Sequence, residues 1–144
     1  MAQSSDDPSG PIGLTQLLEQ SQVRRSSLIR VTGGDGLATL LWLCRRGYEQ
    51  VGYLKAGCTQ EQPDALIVTR ACDAGSLDRL LTAGPHVREG GVLIFQSPLP
   101  GEAGEDPVHR LLAAHGYAVE QCLHGARREL HVARRRPQAW RRAA

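Results

Sequence analysis

The sequence predicts an α/β protein: a three-layer α/β/α domain with a mostly parallel central sheet and a C-terminal antiparallel hairpin. Three observations carry this expectation. Short Val/Ile-rich runs alternate with Leu/Ala-rich helical stripes, the pattern of a parallel sheet covered on both faces. One strand passes through a glycine turn directly into a helix, over Leu28–Gly36. The last two strand-like runs are joined by so short a turn, His124–Arg127, that they must pair antiparallel.

The elements follow in order. Leu14, Leu17 and Leu18 give a short helical stripe that ends near Ser21–Val23. Leu28–Val31 reads as a strand running into Thr32-Gly33-Gly34-Asp35-Gly36. The helix that follows carries Leu37, Leu40, Leu41 and Cys44 on its expected apolar face, with Arg45 and Arg46 in the last turn and Gly47 as its stop. Tyr48–Lys55 is a weaker second strand, and Asp64–Thr69 a clear buried one. A helix over Ser76–Ala83 uses Leu77, Leu80 and Leu81, and Gly90-Gly91 turns the chain into Val92–Phe95, the most apolar strand. Asp106-Pro107 is a helix start, with Asp as N-cap and Pro in the first turn, and Gly116 ends that helix. Tyr117–Leu123 and Glu129–Arg134 form the closing hairpin.

This order resembles the class I S-adenosylmethionine (SAM) methyltransferases, over roughly 28–136. Three stretches carry the resemblance. Ile29–Gly36 is similar to the family's glycine-rich motif after the first strand. Asp64–Leu81 resembles its fourth strand and following helix, and Arg88–Ile94 its common Gly-Gly turn into strand five. The resemblance implies SAM as cofactor, in a cleft at the strand C-terminal ends lined by Thr32, Gly34, Asp35, Gly36, Thr69 and Arg70, with Ser97 at its margin. Residues 1–11, polar and rich in Ser, Asp, Pro and Gly, are expected to be a disordered leader, 12–136 a single methyltransferase-like domain and the Arg-rich 137–144 a basic tail.

The match has three gaps, all on the cofactor side. Where the family motif has an acid and a first glycine, this chain has Arg30 and Thr32. A Cβ at Thr32 restricts φ and crowds a ligand at closest approach. Leu54-Lys55 stands where an acid should end strand two, and lysine cannot accept a hydrogen bond from a ribose. Residues 56–63 replace a helix, a strand and a further helix. That link spans at most about 27 Å, whereas a parallel crossover usually takes a dozen residues or more. The expectation is a SAM-dependent methyltransferase-like domain whose missing cofactor anchors weaken SAM binding and leave catalysis open. The alternative is a protein-interaction module on the same fold, its uncovered sheet edge paired with a second copy or a partner protein. A dinucleotide-binding fold fits less well, because Gly34-x-Gly36-x-x-Thr39 matches that fingerprint only in part.

Composition narrows the remaining classes. With 144 residues and 41% apolar content the chain suits one domain with a real core, built mainly from Leu, Val, Ile and Ala because aromatics are 4%. Net charge is +2, and every basic residue but Lys55 is arginine. Arg127, Arg128, Arg134, Arg135, Arg136, Arg141 and Arg142 form a C-terminal cluster that reads as a solvated tail or a weak nucleic-acid contact. Cys44, Cys58, Cys72 and Cys122 show no Cys-x-x-Cys pair and no matching His spacing, so no zinc site is expected. Cys44 and Cys122 are expected to behave as small hydrophobes. His86, His109, His115, His124 and His131 are scattered, and the expectation is solvated or half-buried rings. Asp73 or Ser76 is expected to cap the helix they precede, and Trp42 to pack within the domain. No signal peptide or bilayer-length apolar run is apparent, which points to a cytoplasmic, reduced protein without membrane contact.

Overall fold

The computed structural model describes residues 11–34, 36–54, 62–71, 73–83, 86–98, 107–124 and 128–137. The elements are α1 (Pro11–Gln20), β1 (Leu28–Thr32), α2 (Gly36–Arg45), β2 (Gln50–Tyr53), β3 (Ala65–Ala71), α3 (Ala74–Ala83), β4 (Val92–Pro98), α4 (Pro107–Ala114), β5 (Tyr117–His124) and β6 (Arg128–Arg135). Six strands form one sheet in the order β2-β1-β3-β4-β6-β5. β2, β1, β3 and β4 run parallel, while β6 lies antiparallel between β4 and β5. The predicted parallel sheet and closing hairpin are both present.

Side-chain alternation along the strands builds a core on each face. Val92 and Ile94 of β4 join Ile29, Val31, Ile67 and Val132 beneath Leu17 and Leu18 of α1 and Leu43 of α2. Leu93 and Phe95 point the other way, with Leu66 and Ala133, beneath Leu77 and Leu81 of α3 and Val108 and Leu112 of α4. Each buried Val, Leu, Ile or Phe side chain among these contributes about 1.5–3 kcal/mol relative to its exposed state, so the two layers of helices are held by the sheet between them.

α2 differs from its predicted orientation. Gly36 and Leu43 are buried, whereas Leu37 and Leu41 are 56% and 45% exposed and Cys44 is also on the surface. The segment Gly36–Cys44 is apolar almost all the way round, so periodicity could not choose a face. The close approach of Tyr53 and Val31 to Gly36 turns that end of the helix inward. Trp42 packs against the core as expected, with the Arg46 guanidinium 5.1 Å from its ring centre. Gly47 ends the helix where predicted: its amide donates to Cys44 and that of Tyr48 to Leu43.

β2 is shorter than the predicted Tyr48–Lys55. Tyr48 is buried in the core, and only Gln50–Tyr53 pair, along β1. This leaves residues 54–64 for the crossing over β1 to β3, which relieves the reach problem of an eight-residue link. Residues 55–61 lie outside the described part of the chain.

Candidate functional site

In parallel α/β sheets ligands bind at the C-terminal ends of the strands. Here that end is formed by Thr32 of β1, the turn after it, and Thr69 of β3. Gly33 adopts φ 120°, a conformation that side-chain-bearing residues rarely take. Its carbonyl accepts the Gly36 amide at 3.3 Å, which closes the turn into α2. Gly36 is buried against β2, and a Cβ there would meet Tyr53 Cε1 at 2.7 Å and Val31 Cγ1 at 3.3 Å. The Thr69 hydroxyl donates to the Thr32 carbonyl at 3.2 Å, tying the ends of β1 and β3 together. The structure therefore brings Thr32, Gly34, Gly36 and Thr69 to one end of the sheet. Asp35, Lys55 and the Arg70 side chain lie outside the described residues.

The departures from the family pattern take up definite positions. Arg30 pairs with Gly52 across the β1–β2 ladder, and its Nη1 lies 3.2 Å from where a Gly52 Cβ would be. The same nitrogen donates to the Ile29 carbonyl at 3.0 Å. The guanidinium thus lies across the edge strand, where glycine leaves it room. Asp73 is the N-cap of α3, accepting the Ser76 amide at 2.8 Å. That bond, with further help from the Ser76 hydroxyl, holds its carboxyl below the usual range. The capping role expected of Asp73 is realised.

Several solved structures share this architecture. A ribosomal protein L11 methylase from Lactobacillus delbrueckii subsp. bulgaricus aligns with a TM-score of 0.65 at 14% identity, over 88% of this chain and 79% of that one. An O-methyltransferase family protein from Burkholderia thailandensis aligns with a TM-score of 0.57 at 13% identity, over 89% of this chain and 59% of its own length. A sugar N-methyltransferase from Streptoalloteichus gives a TM-score of 0.54 at 13% identity, over 90% of this chain and 87% of its own. This chain has the class I methyltransferase-like fold. No family model and no curated protein matches it in sequence.

Against the methyltransferase-like fold, one polar group stands out that the sequence did not reveal. His131, expected to be solvated or half-buried, is fully buried. Its Nε2 lies 2.8 Å from Ser97 Oγ and 3.7 Å from Glu129 Oε1, and both of those residues are also buried. Phe95 stacks on the ring with centroids 5.0 Å apart, and His109 of α4 meets it edge-on at 5.8 Å. The register explains the burial. β6 sets His131 opposite Phe95 and Glu129 opposite Ser97, so alternation turns the acid and the imidazole inward beneath α4. The Glu129-x-His131-x-Ala133 spacing was the available signal, but it acquires meaning only once β6 is known to lie inside the sheet.

The opposite end of the sheet holds two polar cavities. One of about 860 Å³ is bordered by Arg24, Ser26, Ser27, Asp64 and Arg88 among others. A smaller one of about 120 Å³ reaches Ser21 and Arg134. Burial disfavours the Asp64 charge, but the Leu28 amide and the Arg88 guanidinium outweigh it and hold the carboxyl below its usual range. In the C-terminal arginine cluster, Arg134 donates to Glu120, Gly90 and Ser21, and Arg135 to the Val87 carbonyl. Both therefore fasten the fold. Among the described residues no helix is long and apolar enough to cross a membrane.

Proposed function

We propose that this chain is a methyltransferase-like domain whose cofactor end serves to hold the fold together, so that it binds SAM weakly and does not transfer methyl groups. The observation that carries this reading is the Thr32–Thr69 bond: a threonine occupies the position of the motif's first glycine, and its carbonyl is engaged by the hydroxyl of Thr69. Arg30, in place of an acid, lies over Gly52. Loss of two charge-assisted hydrogen bonds, at about 1.5–3 kcal/mol each, weakens a cofactor by roughly two to four powers of ten. Titration calorimetry with SAM is the test. The expected result is no saturable heat at low-micromolar ligand, and backbone amide signals of Gly34 and Gly36 that do not shift. A low-micromolar Kd would overturn the reading.

A second reading is supported by the α2 orientation. Leu37 and Leu41 lie one turn apart on its outward side, both exposed, and the exposed Tyr53 at the edge strand reaches the start of the same helix. Exposed apolar surface beside an open sheet edge suits a binding face. On this reading the domain is a dimerisation module, with a second copy covering α2.

A further inference from the structure

The buried histidine belongs to a larger cluster beneath α4. On β6, alternation sets Glu129, His131 and Ala133 on one face of the sheet, the face whose core contains Ala133. On β5, Val119 pairs with Ala133 and shares that face. Simple alternation would then turn Gln121 and Leu123 the same way and Cys122 away. The register instead shifts between Val119 and Gln121, which inserts Glu120 as an extra residue and brings Cys122 opposite His131. Directly opposed residues point to the same face. Donor atoms of Cys122, Glu129 and His131 consequently lie within 4.8 Å of one another. The bulge is itself anchored, because Arg134 Nε donates to Glu120 Oε2 at 2.6 Å.

We propose that Cys122, Glu129 and His131 bind one divalent transition-metal ion of the zinc class. A thiolate and an imidazole beside a carboxylate suit zinc or cobalt, and disfavour calcium or magnesium, which prefer all-oxygen sites. In a tetrahedral zinc site the donor atoms stand about 3.3–3.8 Å apart, so the cluster closes by side-chain shifts of about 1 Å. His131 presents its Nε2 edge to the cluster, since Ser97 Oγ and Glu129 Oε1 both approach that nitrogen. The ion takes Nε2 in place of the serine hydroxyl. Glu129 and His131 are 4% and 0% exposed, while Cys122 is half-buried and gives the ion a way in. Three protein donors leave the fourth position for water or another small ligand. None of the three residues is among those assigned to the cofactor cleft, so the site stands whether or not SAM binds.

The sequence expectation of no zinc site rested on the lack of a Cys-x-x-Cys pair and of matching His spacing, neither of which a site assembled across a bulged hairpin needs. The test uses the full chain without a histidine tag, reduced and stripped of metal, titrated with Co²⁺ and then Zn²⁺. Expected is uptake of one equivalent with a thiolate-to-cobalt charge-transfer band that Zn²⁺ abolishes. Cys122→Ser removes that band, and Glu129→Gln weakens affinity at least about tenfold, since changes even outside the ligand shell cost about 10–100-fold. Cys44→Ser, at an exposed thiol remote from the cluster, leaves both unchanged. Far-ultraviolet circular dichroism checks that each variant is folded, and Glu129→Gln, nearly isosteric, keeps the test open if Cys122→Ser is not. No stoichiometric uptake by the parent chain, or a charge-transfer band that persists in Cys122→Ser, would overturn the proposal.

Discussion

The ring of Tyr53 lies so close over Gly36 that a Cβ on the glycine would stand 2.7 Å from its Cε1. This contact fixes how α2 meets the edge strand, and it gives the glycine turn a structural purpose apart from any ligand. Gly36→Ala is expected to destabilise the chain by about 1 kcal/mol, at the low end for overpacking, because the half-exposed tyrosine can partly give way. In a Tyr53→Ala background most of that cost should vanish, because only the milder Val31 Cγ1 contact at 3.3 Å then stands against alanine's helix preference. A double-mutant cycle by urea denaturation reads the coupling directly. Gly33→Ala, by contrast, should cost about 1–2 kcal/mol in either background, because its φ of 120° is unfavourable for any side chain.

Asp64 predicts an acid dependence. Its carboxyl accepts the Leu28 amide at 2.7 Å and pairs with Arg88, and its folded pKa lies below the ordinary value of 3.8. The stabilisation is therefore fully present above that value and lost as pH falls through the lower, folded one. Asp64→Asn should cost about 1–2 kcal/mol at pH 7, where the charged acceptor is gone. The difference from the parent chain should shrink steadily below about pH 4, the carboxyl's unfolded range. Thermal melts of both proteins across that range measure it; a gap that widens with acid would refute the account.

Much of this architecture was legible from local pattern. The Val92–Phe95 and Asp64–Thr69 runs, the Gly47 stop, the Asp73 cap and the closing hairpin all rest on interactions a few residues apart, and the structure has each of them. The face of α2 was not legible, because a helix apolar on every side carries no phase information. Nor was the Cys122–Glu129–His131 cluster. Its assembly depends on a bulge at Glu120, where no glycine or proline marks the backbone, and on β6 lying between β4 and β5. At the cofactor end, the sequence could say that Thr32 replaces a glycine but not that Thr69 would bond to its carbonyl.

The exposed side of α2 yields a test of self-association. If a second copy covers Leu37 and Leu41, replacing both by lysine should shift the chain to monomer in light scattering behind gel filtration. Because the two side chains are 56% and 45% exposed in the single chain, the fold should lose no more than about 0.5 kcal/mol, the usual range for surface changes. A parent chain that is monomeric across a wide concentration range would refute the dimer reading.

The Arg134 guanidinium reaches three acceptors from three different segments. Its Nε reaches Glu120 Oε2 at 2.6 Å, Nη1 the Gly90 carbonyl at 2.6 Å and Nη2 the Ser21 carbonyl at 2.8 Å. It thereby joins the end of α1, the turn before β4 and the β5 bulge through one rigid, planar group. Lysine offers a point charge without that fork, so it can satisfy one of these acceptors but not all three. Arg134→Lys is expected to cost about 2 kcal/mol and Arg134→Ala about 3 kcal/mol, as the partly buried carbonyls lose charged donors. Both should also loosen the bulge that aims Cys122 at His131. The cobalt charge-transfer band should therefore weaken in Arg134→Lys under conditions where the variant is still folded, a result that simple loss of stability would not produce.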